Sequence, residues 1–163
     1  HGCKYCPGCY AKNSGLEMVI GIDPDLDKSG LEIVIDGKLT ALGAMGLFPL
    51  TEFILEHRHI ARFVVEDVEW DKTVYTRPGT NVPMMKKIAQ DVGKVKAVGR
   101  LIGIFLAGCD ASFTLMKPLR GPIKLAKKDS KRFNRITGWT GKSNEDKRDA
   151  GLLALTYTGT LGR

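Results

Sequence analysis

Four acidic residues stand where their chemistry would matter. Asp23 ends one apolar run, MVIGID, and Glu66 ends another, RFVVE. If those runs are neighbouring parallel strands, both carboxylates project at one edge of a sheet. Ligands of open α/β sheets gather at such carboxyl ends. Asp146 and Asp149 are three residues apart, which places them on one helical face. The amino end of that helix also favours negative charge. Carboxylates set side by side repel one another, a cost that a bound cation removes. Four oxygen donors suit hard cations such as Mg²⁺ or Mn²⁺. Two such ions about 4 Å apart activate a water and stabilise the leaving oxygen of a phosphodiester. The catalytic and metal-binding set expected is therefore Asp23, Glu66, Asp146 and Asp149.

Each acid also has a plainer reading. Asp23 lies in Asp-Pro-Asp, a turn signal. Glu66 stands beside Asp67 and Glu69 and can be one of several surface acids. Asp146 follows Ser143 by three residues, a capping-box variant, and Asp149 can pair with Lys147 or Arg148. Their joint order and placement is the stronger argument. One decoy falls away. Asp23, Asp25 and Asp27 alternate like the start of a calcium loop, but Lys28 and Val34 occupy the places where an EF-hand needs Gly and Glu.

The elements that must position these acids form an α/β pattern. Residues 18–23 read as a short buried strand. Residues 31–36 read as a second, followed by the Asp36-Gly37 hairpin signal and a third strand, KLTALGAM. Pro49 and Thr51 mark a helix running to about Ala61. RFVVED is a fourth strand, buried on both faces and reached by a parallel crossover. Residues 67–82 read as an exposed loop. Pro83 opens a long helix to about Ala107, and its Gly99 and Gly103, four apart, suit the close packing of another element. SFTLMK is a fifth strand, and residues 122–135 form a basic helix or loop. Ser143 caps a last helix to about Tyr157. The sum is a mixed five-stranded sheet, three antiparallel strands and two parallel, flanked by helices.

Length and charge agree with one globular domain. The 163 residues are 43% hydrophobic, too apolar for a disordered chain. No apolar run reaches the roughly 18 residues of a membrane span, and no signal-peptide pattern opens the sequence. A cytoplasmic protein with no membrane partner is expected. The net charge is +7, with 25 Lys and Arg against 18 Asp and Glu. The excess is concentrated in Lys117, Arg120, Lys124, Lys127, Lys128, Lys131, Arg132 and Arg135. Such a tract suits a polyanion or is simply a solvated face. His1, Cys3, Cys6 and Cys9 offer soft ligands, but the second knuckle of a structural zinc site is missing. Cys109 is remote from them, so no disulfide framework is expected. Residues 1–17 read as an appendage, with Met18 a candidate natural start, and residues 18–163 as the domain.

GIDPDLDKSG at 21–30, VVED at 64–67 and DKRDAGLLAL at 146–155 resemble the three acidic motifs of RuvC-type Holliday-junction resolvases. The resemblance covers about residues 18–157. FNRITGWTGKSNEDKRDA resembles a phage-associated branch. Asp25 departs from the glycine usual in the first motif. The resemblance implies an RNase H-like fold and cleavage of four-way DNA junctions by a homodimer with two metal ions per site. It also implies an aromatic wedge in the loop after the glutamate, for which Trp70 and Tyr75 are candidates; ordinary loop packing is Trp70's alternative. The nucleic-acid-binding set expected is Lys28, Trp70, Tyr75, Arg77, Lys117, Lys124, Lys127, Lys128, Arg132 and Arg135. Competing readings are an RNase H-like nuclease for flaps or RNA–DNA hybrids, a non-catalytic nucleic-acid-binding module, and a zinc or iron–sulfur protein built on the amino-terminal cysteines.

Overall fold

Alternation along the central strands decides the architecture. In β1 (Met18–Asp23), Met18, Ile20 and Ile22 face one way, and Val19, Gly21 and Asp23 the other. In β4 (Arg62–Glu66), Phe63 and Val65 share the first face, and Val64 and Glu66 the second. Both faces are therefore apolar, and each needs a cover. A computed structural model describes residues 17–70 and 81–161 and supplies those covers. His1, the three amino-terminal cysteines, Tyr75 and Arg77 lie outside the described residues.

The sheet has the order β3-β2-β1-β4-β5. β2 (Ser29–Ile35) pairs antiparallel with β1, and β3 (Lys38–Met45) antiparallel with β2. β4 runs parallel to β1, and β5 (Phe113–Met116) parallel to β4. This is the expected mixed sheet. β2 starts at Ser29, earlier than the sequence pattern suggests, and stops before Asp36. Asp36 and Gly37 both take positive φ, 52° and 73°, which closes the hairpin in the sense that suits strand twist.

The first face is covered by α1 (Leu47–His57) and α2 (Val82–Gly108). Leu50, Ile54, Val98, Ile102 and Leu106 bury against Ile20, Ile22, Phe63 and Val65. α1 begins before Pro49, which sits in the first turn where a missing N–H costs no helical bond. α1 also ends at His57, short of the expected Ala61. Asn81 caps α2 by accepting the Met84 amide at 3.0 Å. The second face is covered by α5 (Glu145–Tyr157), with Phe133, Leu152, Leu153 and Leu155 packed on Val19, Val34 and Val64.

The basic stretch after β5 resolves into two helices, α3 (Pro122–Lys128) and α4 (Ser130–Thr137). Asp129 separates them and caps α4 by accepting the Arg132 amide at 3.0 Å. The cap of α5 is Asn144, whose side chain accepts the Lys147 amide at 3.0 Å. The expected cap, Ser143, instead offers its carbonyl and hydroxyl oxygens to Arg148. None of the described helices is long and apolar enough to cross a membrane.

Candidate active site

The register of β1 and β4 builds the acidic edge. Ile22 pairs with Val65, so Asp23 and Glu66 are the next step of two parallel neighbours. Alternation turns both side chains to the face that α5 covers. α5 brings Asp149 down onto that face at 4% exposure and leaves Asp146 one turn earlier, exposed in the first turn. The expected acids therefore gather from β1, β4 and α5.

The gathering shapes the electrostatics of the edge. Burial is the first cause that lifts the Asp23 carboxyl from 3.8 to about 8, followed by the charges of Glu66 and Asp149, with Asp146 adding to them and Lys127 opposing. Burial, then Asp149, also raises Glu66, while Lys124 and Lys127 lower it. Burial works against charge on Lys127. Its hydrogen bond to Asp149 and the nearby acids outweigh this and raise it.

Lys127 is the cation the cluster holds. Its Nζ donates to Asp149 Oδ2 at 2.5 Å, with the lysine side chain 23% exposed. Asp149 Oδ1 is buried with no hydrogen-bond partner. Among the described residues, no three acids stand close enough to make a ready-formed metal cage. The donor chemistry nonetheless fits a hard divalent ion: all the donors are carboxylate oxygens, one is orphaned in the interior, and burial together with the neighbouring acids disfavours charge on Asp23.

Arg148 fixes the lysine in place, a role the sequence reading missed. This buried guanidinium donates from Nε to Lys127 O at 2.6 Å and from Nη1 to Ser143 O at 2.8 Å. It thereby ties the carboxyl end of α3 to α5. Asp149 pairs with Lys127 rather than with its chain neighbours Lys147 and Arg148. Glu32 was also missed. It is fully buried on the same sheet face as Asp23, and a lone acid inside the apolar run LEIVI was the available signal.

The expected nucleic-acid-binding residues fall in three places. Lys124, Lys127, Lys128, Arg132 and Arg135 lie on α3 and α4. Lys117 follows β5 and sets its ammonium 3.9 Å from the centre of the Trp70 ring, which is half-exposed beyond Glu66. Lys28 is exposed in the turn between β1 and β2. Gly99 packs closely, since a Cβ there would meet Val68 and Pro24, whereas Gly103 faces open space.

No protein-family model matches the chain, and no curated protein does either. Solved structures do match. T. thermophilus RuvC in complex with a Holliday junction substrate aligns over 86% of this chain and 92% of its own, with 17% identity and a TM-score of 0.56. A second Thermus thermophilus RuvC structure aligns over 88% and 98%, with 15% identity and a TM-score of 0.48. The fold is the RuvC-like, RNase H-like arrangement of a mixed five-stranded sheet flanked by helices.

Proposed function

We propose that the protein is a metal-dependent DNA endonuclease that resolves four-way junctions. The observation that carries this reading is the acidic cluster from β1, β4 and α5, where burial first, and then the charges of Glu66 and Asp149, lift the Asp23 carboxyl to about 8. Such crowding destabilises the metal-free site and rewards a cation. Asp23, Glu66, Asp146 and Asp149 would hold Mg²⁺ or Mn²⁺, two ions per site. The ions supply activation of water and stabilisation of the leaving oxygen when bound.

The chain supplies the rest. Lys124 and Lys127 bring positive charge to the acidic edge, where the non-bridging oxygens of a scissile phosphate would sit. Lys128, Arg132 and Arg135 extend that charge along α3 and α4 and suit the phosphate backbone. Trp70, with Lys117 over its ring, offers a half-exposed aromatic side chain for an unstacked base at a branch point. Tyr75 and Arg77, outside the described residues, and Lys28, in the turn between β1 and β2, complete the proposed DNA-binding set.

A second copy of the chain is the proposed partner. α2 leaves Leu101 and Ile104 exposed at 51% and 62%, beside the open Gly103, a surface suited to a two-fold contact. Two copies would present two acidic edges to the symmetric strands of a junction. The similar RuvC structure, which holds a Holliday junction substrate, supports branched DNA as the ligand class.

The test is cleavage of a labelled four-way junction with Mg²⁺, Mn²⁺ or EDTA, beside matched duplex, flap and RNA–DNA hybrid at one salt concentration. Paired metal-dependent nicks in the junction are expected. Preferential cutting of hybrid or flap would reassign the substrate, and tight binding without cutting under any metal would leave a binding module.

A further inference from the structure

Glu32 is the only buried acid of β2, and the acidic site as described has no use for it. It stands opposite Gly21 in the β1–β2 register. The place a Gly21 side chain would fill is taken by the Glu32 carboxyl: a Cβ there would lie 1.5 Å from Oε1 and 2.3 Å from Cδ. Oε1 accepts the backbone N–H of Ala154, in α5, at 3.2 Å. Oε2 is buried with no hydrogen-bond partner.

The seat of α5 explains why this contact matters. Asp146, Ala150 and Ala154 follow one another at four-residue spacing, on one face of the helix. That face lies close on the sheet over two glycines. A Cβ on Gly30 would meet the Asp146 carbonyl at 2.9 Å and the Ala150 methyl at 3.2 Å, and one on Gly21 would meet the Ala154 methyl at 3.1 Å. Gly30 is also the register partner of Asp23. Small residues let the helix approach, but they grip nothing and permit sliding and rotation. Among the described residues, the Glu32–Ala154 bond is the polar contact between β2 and the α5 backbone along this seam.

We propose that Glu32 is a positioning residue of the acidic site: its carboxyl, lodged in the space left by Gly21, holds Ala154 and so fixes the height and rotation at which α5 presents Asp146 and Asp149 to Asp23 and Glu66. This rests on the metal-dependent nuclease reading of that site. The position of Glu32 disfavours its charged form. Burial, and then the fields of Asp23 and Asp149, push its carboxyl well above the usual range, while the Ala154 amide opposes them. Glutamine retains the oxygen acceptor and the shape without needing a proton. Leucine fills similar space but accepts nothing.

The test is Mn²⁺ binding to the full chain without DNA, followed by the electron paramagnetic resonance of free Mn²⁺, with thermal unfolding in EDTA measured alongside. Glu32→Gln should bind Mn²⁺ within about twofold of the wild type. Glu32→Leu should bind at least about tenfold more weakly while melting no earlier, because a buried acid is exchanged for an apolar group. A merely structural role would move both readouts together. Leucine binding that matches the wild type overturns the proposal, and so does glutamine binding as weak as leucine's, which would make charge rather than position the active property. Glu32→Met carries the same comparison if the leucine chain does not fold, and the glutamine arm stands alone in any case. A wild-type chain that binds no Mn²⁺ would overturn the nuclease reading and this one with it. Normal Mn²⁺ binding with unaltered leucine behaviour overturns only this one.

Discussion

Replacing Asp23 by asparagine should stabilise the metal-free protein while ending its activity. In the folded chain the Asp23 carboxyl sits at about 8 against an ordinary 3.8. Between those values the native state keeps a proton that the unfolded chain has released. Stability therefore falls as pH rises from about 4 to about 8, then levels off above the folded value. Each pH unit in that window costs about 1.4 kcal/mol at most, so the ceiling at pH 7 is about 4 kcal/mol. Water entry and movement of Lys127 relieve part of the burden, and about 2 kcal/mol is the working expectation. For a domain of this size that is roughly 4–8 °C in melting temperature. The assay is thermal unfolding of wild type and Asp23→Asn in EDTA from pH 4 to pH 9. Asparagine cannot ionise, so the variant should gain most near pH 8 and nothing near pH 4. Mg²⁺ should narrow the gap by raising the wild type alone. Equal melting at pH 8 in EDTA, or a gap that persists on acidification, would refute the reasoning. Loss of function with gain of stability is the pattern expected of a strained site.

Three further outcomes follow from the same geometry. Lys127→Met leaves the buried Asp149 without its ammonium; unfolding in EDTA at pH 7 should register a loss of about 3 kcal/mol, and junction cleavage should fall at least about tenfold. Arg148→Met leaves the Lys127 and Ser143 carbonyls without their donor; denaturant unfolding should show a loss of about 2 kcal/mol, and hydrogen exchange should quicken in α3. Trp70→Ala should weaken junction binding about fivefold to tenfold, near 1 kcal/mol, while leaving binding to matched duplex unchanged in a titration at fixed salt.

What the sequence discloses depends on how local the cause is. β1 and β4 are short apolar runs closed by an acid, and the positions of Asp23 and Glu66 follow from run length and alternation alone. The β2–β3 hairpin is legible because Asp36-Gly37 takes the positive φ values that this pair tolerates. The last helix is legible from the capping residues ahead of it, but the cap is Asn144 and not the expected Ser143. Ser143 and Asn144 are both good caps, and the choice falls to Asn144 because Arg148 engages Ser143. The basic stretch was ambiguous because one residue, Asp129, both breaks α3 and caps α4. The roles of Glu32 and Arg148 are hidden for a different reason, although a lone acid in the apolar run LEIVI marks Glu32 as unusual. Each acts through a contact distant in sequence, Glu32 with Ala154 and Arg148 with Lys127, and no short-range pattern encodes such pairs. The glycine opposite Glu32 becomes meaningful only when the register is known.

The central claim is that the acids of β1, β4 and α5 are a metal-dependent cutting site. Asp146 tests it most directly because it is exposed, does not cap the helix, and contributes little to the fold. Losing its charge from the first turn should cost no more than about 1 kcal/mol. Cleavage and binding of a four-way junction should be measured side by side for wild type and Asp146→Asn, with Mg²⁺ and with Mn²⁺. Abolished cleavage with binding preserved is the predicted result; a variant that still cuts the junction with either metal would contradict the account.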